Sequence, residues 1–167
     1  MMRKWWSFQV SGWLRFVIGR RPALTLVRVG VVVLLYFGVV REMIIPIRVT
    51  GPSMEPAYRH GNITVLNRWT YRSRDPRRGD VVGIRMDGTR RLVLKRILGL
   101  PGERVAVRRG RVYVNRELLD EFGRGRGIPG TPGEILLGPN EYFAIGDNRN
   151  LTAYDVVHGR EIVGKTL

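Results

Sequence analysis

A run of 18 residues from Ala23 to Val40 contains a single charged residue, Arg28. Spanning the hydrocarbon core of a bilayer takes about 20 mainly apolar residues, so this run is long enough to cross a membrane once it is slightly extended. The long side chain of Arg28, near the start of the run, can reach the lipid headgroups. The sequence therefore predicts a single-pass transmembrane anchor over residues 22–45.

Residues 1–21 precede the anchor and contain basic residues but no acidic ones. The positive-inside rule then predicts a cytoplasmic N-terminus in the cell's inner membrane, with the rest of the chain outside the cytoplasm. Trp6, Val10, Trp13 and Val17 follow a helical period, which predicts an amphipathic helix at the surface of anionic lipid. A cleaved signal peptide and a buried helix of a soluble protein are the alternatives, but no small-x-small cleavage site follows the run before Pro46.

The composition narrows the chemistry that is open to this chain. It has no cysteine and two histidines, His60 and His158, which argues against disulfides, cysteine catalysis and a cysteine- or histidine-rich metal site. We therefore expect neither a metal nor a cofactor, and we expect both histidines to be ordinary loop residues. The net charge of +15 suits nucleic acid or anionic lipid. Anionic lipid is favoured over nucleic acid, because the arginines are scattered and no helix-turn-helix is visible.

After residue 46 the chain has short apolar runs between turn signals and no long helical period. Such a pattern predicts antiparallel strands in a sandwich or barrel. The runs lie at residues 47–49, 63–66, 80–86, 91–98, 104–107, 111–114 and 141–145. RVAV-RRG-RVYV predicts a hairpin, and residues 123–133 predict a mobile loop. The predicted fold is mainly β: an N-terminal transmembrane helix followed by a compact antiparallel domain over residues 46–167.

Ser53 lies in VTGPSMEP, where one glycine and two prolines predict a tight turn. A catalytic nucleophile needs such a setting, exposed at a sharp bend beside backbone N–H groups that can hold an oxyanion. Serines in turns are common, however, and most of them only form the turn.

Lys95 lies inside the apolar run RLVLKRIL, in a chain whose basic residues are otherwise arginines except for Lys4 and Lys165. Burial disfavours an ammonium, so a buried lysine can become a neutral amine, which an arginine cannot do. The alternative is an edge-strand lysine that points into water. Together, Ser53 and Lys95 permit a serine–lysine dyad in which the amine takes the proton of the hydroxyl.

Four segments in this order, behind an N-terminal anchor, resemble the type I signal peptidases, which are membrane-bound serine–lysine endopeptidases. The segments are VTGPSMEP with HGNITVLNRW, RRGDVVGIR, LVLKRILGLPGERVAVRRGRVYVNRELLDE, and EYFAIGDNRN. The resemblance covers residues from about 22 to 165. It implies removal of signal peptides from exported preproteins after Ala-x-Ala-like sites, in a compact form that lacks the large inserted subdomain of some members.

The resemblance also implies a role for each matched position. Ser53 is the expected nucleophile, with its own N–H as an oxyanion donor, and Lys95 is the expected general base. Residues that flank the dyad are expected to line a shallow pocket for a small substrate side chain, and these are Val49, Met54 and Leu94. Residues near the C-terminus are expected to brace the site, and these are Gly146, Asp147, Asn148, Arg149 and Thr152, of which Thr152 offers a hydroxyl to orient the lysine.

The sequence departs from the family pattern at several positions. Ala57 replaces a usual threonine and Asn62 a usual aspartate, and no Ser-x-Asp-Ser-Arg follows Arg149. The usual aspartate–arginine pair is thus missing, with Asp155 displaced by one position. The alternative function is a specialised or catalytically impaired paralogue that binds signal peptides or serves one dedicated, pilus-type substrate. A self-cleaving repressor protease shares the dyad, but it carries a DNA-binding domain where this chain has its apolar run. The sequence does not predict an oligomeric state.

Overall fold

This computed structural model describes residues 22–86, 91–119, 133–151 and 153–167. Two compact units divide between Glu42 and Met43. The first is represented by helix α1 (Pro22–Met43), and the second is the β-rich body. The segments predicted as an interfacial helix (residues 5–18) and, apart from Gly133, as a loop (residues 123–133) lie outside the described residues.

Helix α1 contains a 20-residue stretch, Leu24–Met43, with a mean hydropathy of 2.0 and none of it buried inside the protein. Its length and composition allow it to cross a membrane. The helix ends two residues before residue 45, where the sequence predicts the end of the anchor. The helix ends at Met43 because Ile44 and Ile45 already pair with Asn67 and Leu66 as part of a strand.

The body contains eleven described strands, one short helix and one 3-10 turn. The strands are β1 (Ile44–Arg48), β2 (Ile63–Asn67), β3 (Val81–Arg85), β4 (Leu92–Gly99), β5 (Arg104–Arg108), β6 (Arg111–Val114), β7 (Glu117–Leu118), β8 (Ile135–Leu136), β9 (Glu141–Ile145), β10 (Tyr154–His158) and β11 (Ile162–Thr166). The short helix α2 is Thr70–Ser73, and the 3-10 turn is Gly159–Glu161.

Two antiparallel sheets build the body. The larger has the order β1-β2-β11-β3-β4-β9-β10, and the smaller has the order β7-β6-β5-β8. The predicted mainly-β fold with an N-terminal apolar helix is therefore confirmed. Four strands were not among the predicted runs, and these are β7, β8, β10 and β11. Strand β11 lies between β2 and β3, and β10 forms one edge of the larger sheet.

The predicted hairpin is present as β5–β6, with Arg108 opposite Arg111. Its two loop residues, Arg109 and Gly110, have φ values of 52° and 73°. Two consecutive positive φ values fit the twist of a two-residue hairpin loop, and glycine adopts such a conformation easily. The strands turn Val105, Val107, Val112 and Val114 into a buried cluster.

Strand β4 has different neighbours along its length. Residues Leu92 to Arg96 pair with β3 on one side. On the other side, the pairing with β9 begins only at Arg96, which lies opposite Ile145, the last residue of β9. Within the described part of the chain, the first half of β4 therefore has a strand partner on one side only.

Candidate active site

Ser53 is half-buried in the turn that the sequence predicts. Gly51 adopts a φ of +88°, a conformation that side-chain-bearing residues rarely take. The turn is closed by a hydrogen bond of 3.2 Å from Glu55 N–H to the Pro52 carbonyl. The Gly51 N–H donates to His60 Nδ1 at 2.9 Å, so this histidine supports the turn that carries the serine.

Lys95 lies on β4 opposite Val82, on the half of the strand that lacks a second partner. Its side chain is only 12% exposed. Nζ donates a hydrogen bond of 2.9 Å to the Ala153 carbonyl and forms an ion pair of 3.1 Å with Asp155 Oδ2. The alternative of a strand lysine that points into water is therefore not what the structure shows.

The sheet register explains how a residue of β4 reaches β10. The strand between them, β9, ends at Ile145, which pairs with Arg96 on one side and with Tyr154 on the other. At the next position the chain leaves the sheet, and the side chain of Lys95 meets Ala153 and Asp155 directly. Asp155 itself lies opposite Ala144 of β9, and Ala144 lies opposite Ile97, so the side chain of Lys95 reaches Asp155 beside the end of β9.

Arg96 follows Lys95 in β4 and binds the turn after β9. It makes two hydrogen bonds with Asp147, of 2.7 Å and 2.5 Å, and a third of 2.8 Å to the Gly79 carbonyl. The bonds with Asp147 raise the pKa of the Arg96 guanidinium above its usual value. This two-point contact fixes the position of the 146–149 turn against β4.

Arg149 lies in the same turn and is only 3% exposed. Burial lowers the pKa of its guanidinium, Asp147 acts in the opposite direction, and the positive charge of Arg96 adds to the lowering. Gly146 is also buried. Two of the four residues of the turn, Gly146 and Arg149, are therefore buried.

Asn148 connects this turn to the serine. Its backbone N–H donates to the Ser53 carbonyl at 2.9 Å, and its side-chain Nδ2 donates to the Pro52 carbonyl at 3.1 Å. The segment from Asp147 to Asp155 thus contacts Ser53 at one end and Lys95 at the other. Both predicted dyad residues therefore bind to residues of one short segment.

The three residues predicted to line the substrate pocket lie in one buried cluster. Val49, Met54 and Leu94 pack with Leu66 and Val81. Met54 follows Ser53 and Leu94 precedes Lys95, so the neighbours of both predicted catalytic residues meet in this cluster. All three side chains are less than 10% exposed, so they belong to the core beside the two predicted catalytic residues.

Thr152 and His158 are the remaining residues that the sequence analysis singled out. Thr152, predicted to orient the lysine, lies outside the described residues. His158 closes the 3-10 turn, where its N–H donates to Glu161 at 2.6 Å. Among the described residues, no group of three or more histidine, cysteine, aspartate or glutamate side chains has the arrangement of a metal site.

The contact of Asp155 with Lys95 is the feature that sequence reasoning missed. The sequence shows Asp155 only as a displaced member of a family pattern, whereas the structure shows its carboxylate on the amine. The sequence does show a lysine inside one apolar run and, 60 positions later, an acidic residue in the last apolar segment. Only the register of β4, β9 and β10 makes that pairing visible.

The body is thus a two-sheet antiparallel protein in which one segment holds a turn serine and a strand lysine. A family model described as "Signal peptidase, peptidase S26" matches residues 23–155. The chain belongs to this family, which confirms the resemblance seen in its four sequence segments.

Known relatives agree with this assignment. A probable signal peptidase I-2 of Synechocystis sp. is 34% identical over 113 residues, which cover 64% of this chain and 51% of that protein. Signal peptidase I of Bacillus caldolyticus is 32% identical over 136 residues, which cover 70% of this chain and 74% of that protein. The match thus spans about half the length of the first relative.

The solved structures include a similar chain, a signal peptidase I from Enterococcus faecalis V583. It is 23% identical, with a TM-score of 0.45 over 55% of this chain and 97% of that chain.

Proposed function

We propose that this protein is a membrane-anchored endopeptidase that removes signal peptides from exported preproteins, with Ser53 as nucleophile and Lys95 as general base. Helix α1 anchors the chain in the cell membrane, with the N-terminus in the cytoplasm and the body outside it. The bond that is cut follows an Ala-x-Ala-like sequence. Family membership supports the class of reaction, and the geometry of the body supports the residues.

The contacts of the segment from Asp147 to Asp155 carry the assignment of the dyad. Asn148 binds the carbonyl of Ser53, and Ala153 and Asp155 bind the amine of Lys95. A serine–lysine mechanism needs both groups in one fixed constellation, because the amine must take the hydroxyl proton over hydrogen-bond distance. The core cluster that contains Met54 and Leu94 supports the same pairing from the other side.

The substrate binds as an extended segment along the first half of β4. Residues Leu92 to Lys95 have β3 on one side, and β9 does not extend along the other. An extended peptide can add to such an open strand by backbone hydrogen bonds, while pockets select alternate side chains. On this proposal the buried cluster of Val49, Met54 and Leu94 lies against the bound segment, which favours small residues such as alanine beside the scissile bond.

The chemistry proceeds in two stages. Neutral Lys95 takes the proton of the Ser53 hydroxyl as Oγ attacks the carbonyl carbon, and the Ser53 N–H donates to the oxyanion. The C–N bond breaks, and Lys95 returns the proton to the leaving amine. A water molecule then gives a proton to the same amine and attacks the acyl carbon. The ester C–O bond breaks, Lys95 returns the proton to Ser53 Oγ, and the signal peptide leaves with a new carboxylate.

The test is cleavage of an Ala-x-Ala preprotein by the detergent-solubilised full chain. We expect Ser53→Ala and Lys95→Arg each to lose at least about a thousandfold in kcat, because removing one member of a catalytic unit removes most of its contribution. Ser73→Ala and Lys165→Arg are the matched controls. Ser73 is exposed at the end of α2, and the Lys165→Arg change keeps a positive charge beside Asp80.

Full activity of either dyad variant would refute the assignment of that residue. A wild-type protein that is inert on several preproteins but binds their signal peptides would identify it as the impaired or specialised paralogue instead. Partners on this proposal are preprotein signal peptides and anionic lipid, and the reaction as written uses no nucleic acid, metal or cofactor.

A further inference from the structure

Asp155 touches the amine of Lys95, and the proposed chemistry does not use it. The ion pair spans 3.1 Å between residues 60 positions apart, and the two side chains are 12% and 31% exposed. At this exposure the surrounding water screens the charges less than it does on an open surface. A carboxylate so close to an amine favours its ammonium form, which is the inactive form of a general base.

We infer that Asp155 is a positioning residue for Lys95 that holds the resting amine in the site and sets the pH at which it becomes a base. This inference rests on the proposed function, because it takes Lys95 as the general base. Two of the groups that contact the amine differ in their response to its charge. The Ala153 carbonyl accepts a hydrogen bond from the amine in either charge state, whereas the Asp155 carboxylate stabilises the charged one.

The sheet places Asp155 on the same face as the amine. Asp155 lies opposite Ala144, which lies opposite Ile97, and Ile97 is two residues from Lys95 on β4. Residues two apart on a strand point to the same face. Lys95 and Asp155 therefore lie on the same face of the sheet, in neighbouring rows, where their side chains meet.

Other charged groups lie on the elements around β4, and each has a contact of its own. Asp80, before β3, is bound by Lys165 and Arg74. Asp147, after β9, is bound by Arg96. Glu141, at the start of β9, lies 3.7 Å from His158 at the far end of β10.

The arginines on or next to β3, β4 and the 146–149 turn are Arg85, Arg91, Arg96 and Arg149. Of the carboxylates named here, Asp155 is the one that forms an ion pair with the amine of Lys95.

The first measurement is the pH–rate profile of preprotein cleavage for Asp155→Asn. The limb along which the rate rises with pH is expected to move about one pH unit toward neutral. At a fixed pH on that limb, the rate is then about tenfold higher. The rate on the plateau is expected to stay within about threefold. Asp155→Glu is expected to restore the wild-type profile, and Glu134→Gln, which removes a carboxylate from the smaller sheet, is expected to leave it unchanged.

The second measurement does not depend on activity. The chain has three lysines, so a Lys4→Arg/Lys165→Arg background leaves Lys95 as the single lysine for ¹³Cε NMR. In the full chain in detergent, the Lys95 ammonium signal is expected to persist to higher pH when Asp155 is present than in the Asp155→Asn variant. A fall of the plateau rate with no movement of the limb would show a purely structural role and overturn the inference.

The two measurements separate the failures. If wild type cleaves nothing but the NMR signal of Lys95 differs between the protein with Asp155 and the Asp155→Asn variant, the proposed function is wrong. The inferred effect of Asp155 on Lys95 is then still supported. If wild type cleaves and neither the limb nor the signal moves, the inference about Asp155 is wrong and the dyad stands.

Discussion

Asp80 is the most heavily bonded carboxylate among the described residues, and it is 6% exposed. Oδ2 accepts from the Tyr71 hydroxyl, from Arg74 and from the Arg77 N–H, at 3.0–3.2 Å, and Oδ1 accepts from Lys165 Nζ at 2.7 Å. Burial by itself raises the pKa of the Asp80 carboxyl, but the hydrogen bonds outweigh it and leave the pKa below its usual value. Lys165, one of three lysines, thereby joins the end of the chain to the start of β3.

A lowered pKa in the folded state makes a prediction about acid stability. Folding gains from ionised Asp80 above the unfolded-state pKa of about 3.9, and this gain is lost as the pH falls through the lower folded-state pKa. We expect Asp80→Asn to reduce the free energy of unfolding by about 3 kcal/mol at pH 7, since it leaves Lys165 and Arg74 without their carboxylate.

Urea unfolding of the full chain in detergent, at pH 7 and again near pH 3, measures this effect. The difference between wild type and variant should shrink at the lower pH. Glu117→Gln is the control, because Glu117 is exposed. A difference that is equal at both pH values would contradict the prediction.

At Gly164, strand β11 lies close to the backbone of β2. A Cβ built on Gly164 would meet the carbonyl oxygen of Asn67 at 2.7 Å. The register of β11 on β3 shifts between Ile162 and Gly164 at the same place. The obstructing atoms belong to backbone, so they cannot move aside as a flexible side chain does.

We therefore expect Gly164→Ala to lower the free energy of unfolding by about 2 kcal/mol, as overpacking in a close contact does. The matched control is Gly133→Ala, because a Cβ at Gly133 meets nothing within 4 Å. Urea unfolding midpoints compare the two variants. Equal midpoints for Gly164→Ala and wild type would show that β11 can shift away from β2 without loss.

At the scale of the whole molecule, the chain combines an apolar helix with a strongly basic β body. The stretch Leu24–Met43 is exposed along its length, which would be unfavourable in water. Each arginine placed at the centre of a transmembrane helix costs about 3 kcal/mol of insertion free energy. The helix should therefore tolerate apolar substitutions and fail to insert when charges are added at its centre.

After an alkaline carbonate wash, most of the double variant Val32→Arg/Leu35→Arg is expected to be missing from the membrane fraction. Leu136→Arg/Leu167→Arg adds the same charge at exposed positions of the body and is expected to stay in the membrane fraction. Retention of the helix variant at wild-type level would mean that the helix is not what holds the chain in the membrane.

The sequence by itself determined the features that depend on neighbouring residues. The apolar run, seven strand segments and the β5–β6 hairpin follow from local composition, period and turn chemistry. The four segments that resemble the motifs of the family are enough to indicate it. The roles of Ser53 and Lys95 were also predicted from sequence, and they stay a proposal.

The tertiary structure decided what depends on distant segments. Strands β10 and β11, the end of helix α1 at Met43, the Asp80–Lys165 pair and the contact of Asp155 with Lys95 arise only when the register aligns residues far apart in the chain. A strand's partner is chosen by packing over the whole sheet, and local sequence does not encode it. For this reason the lysine was visible in the sequence, while the carboxylate beside it was not.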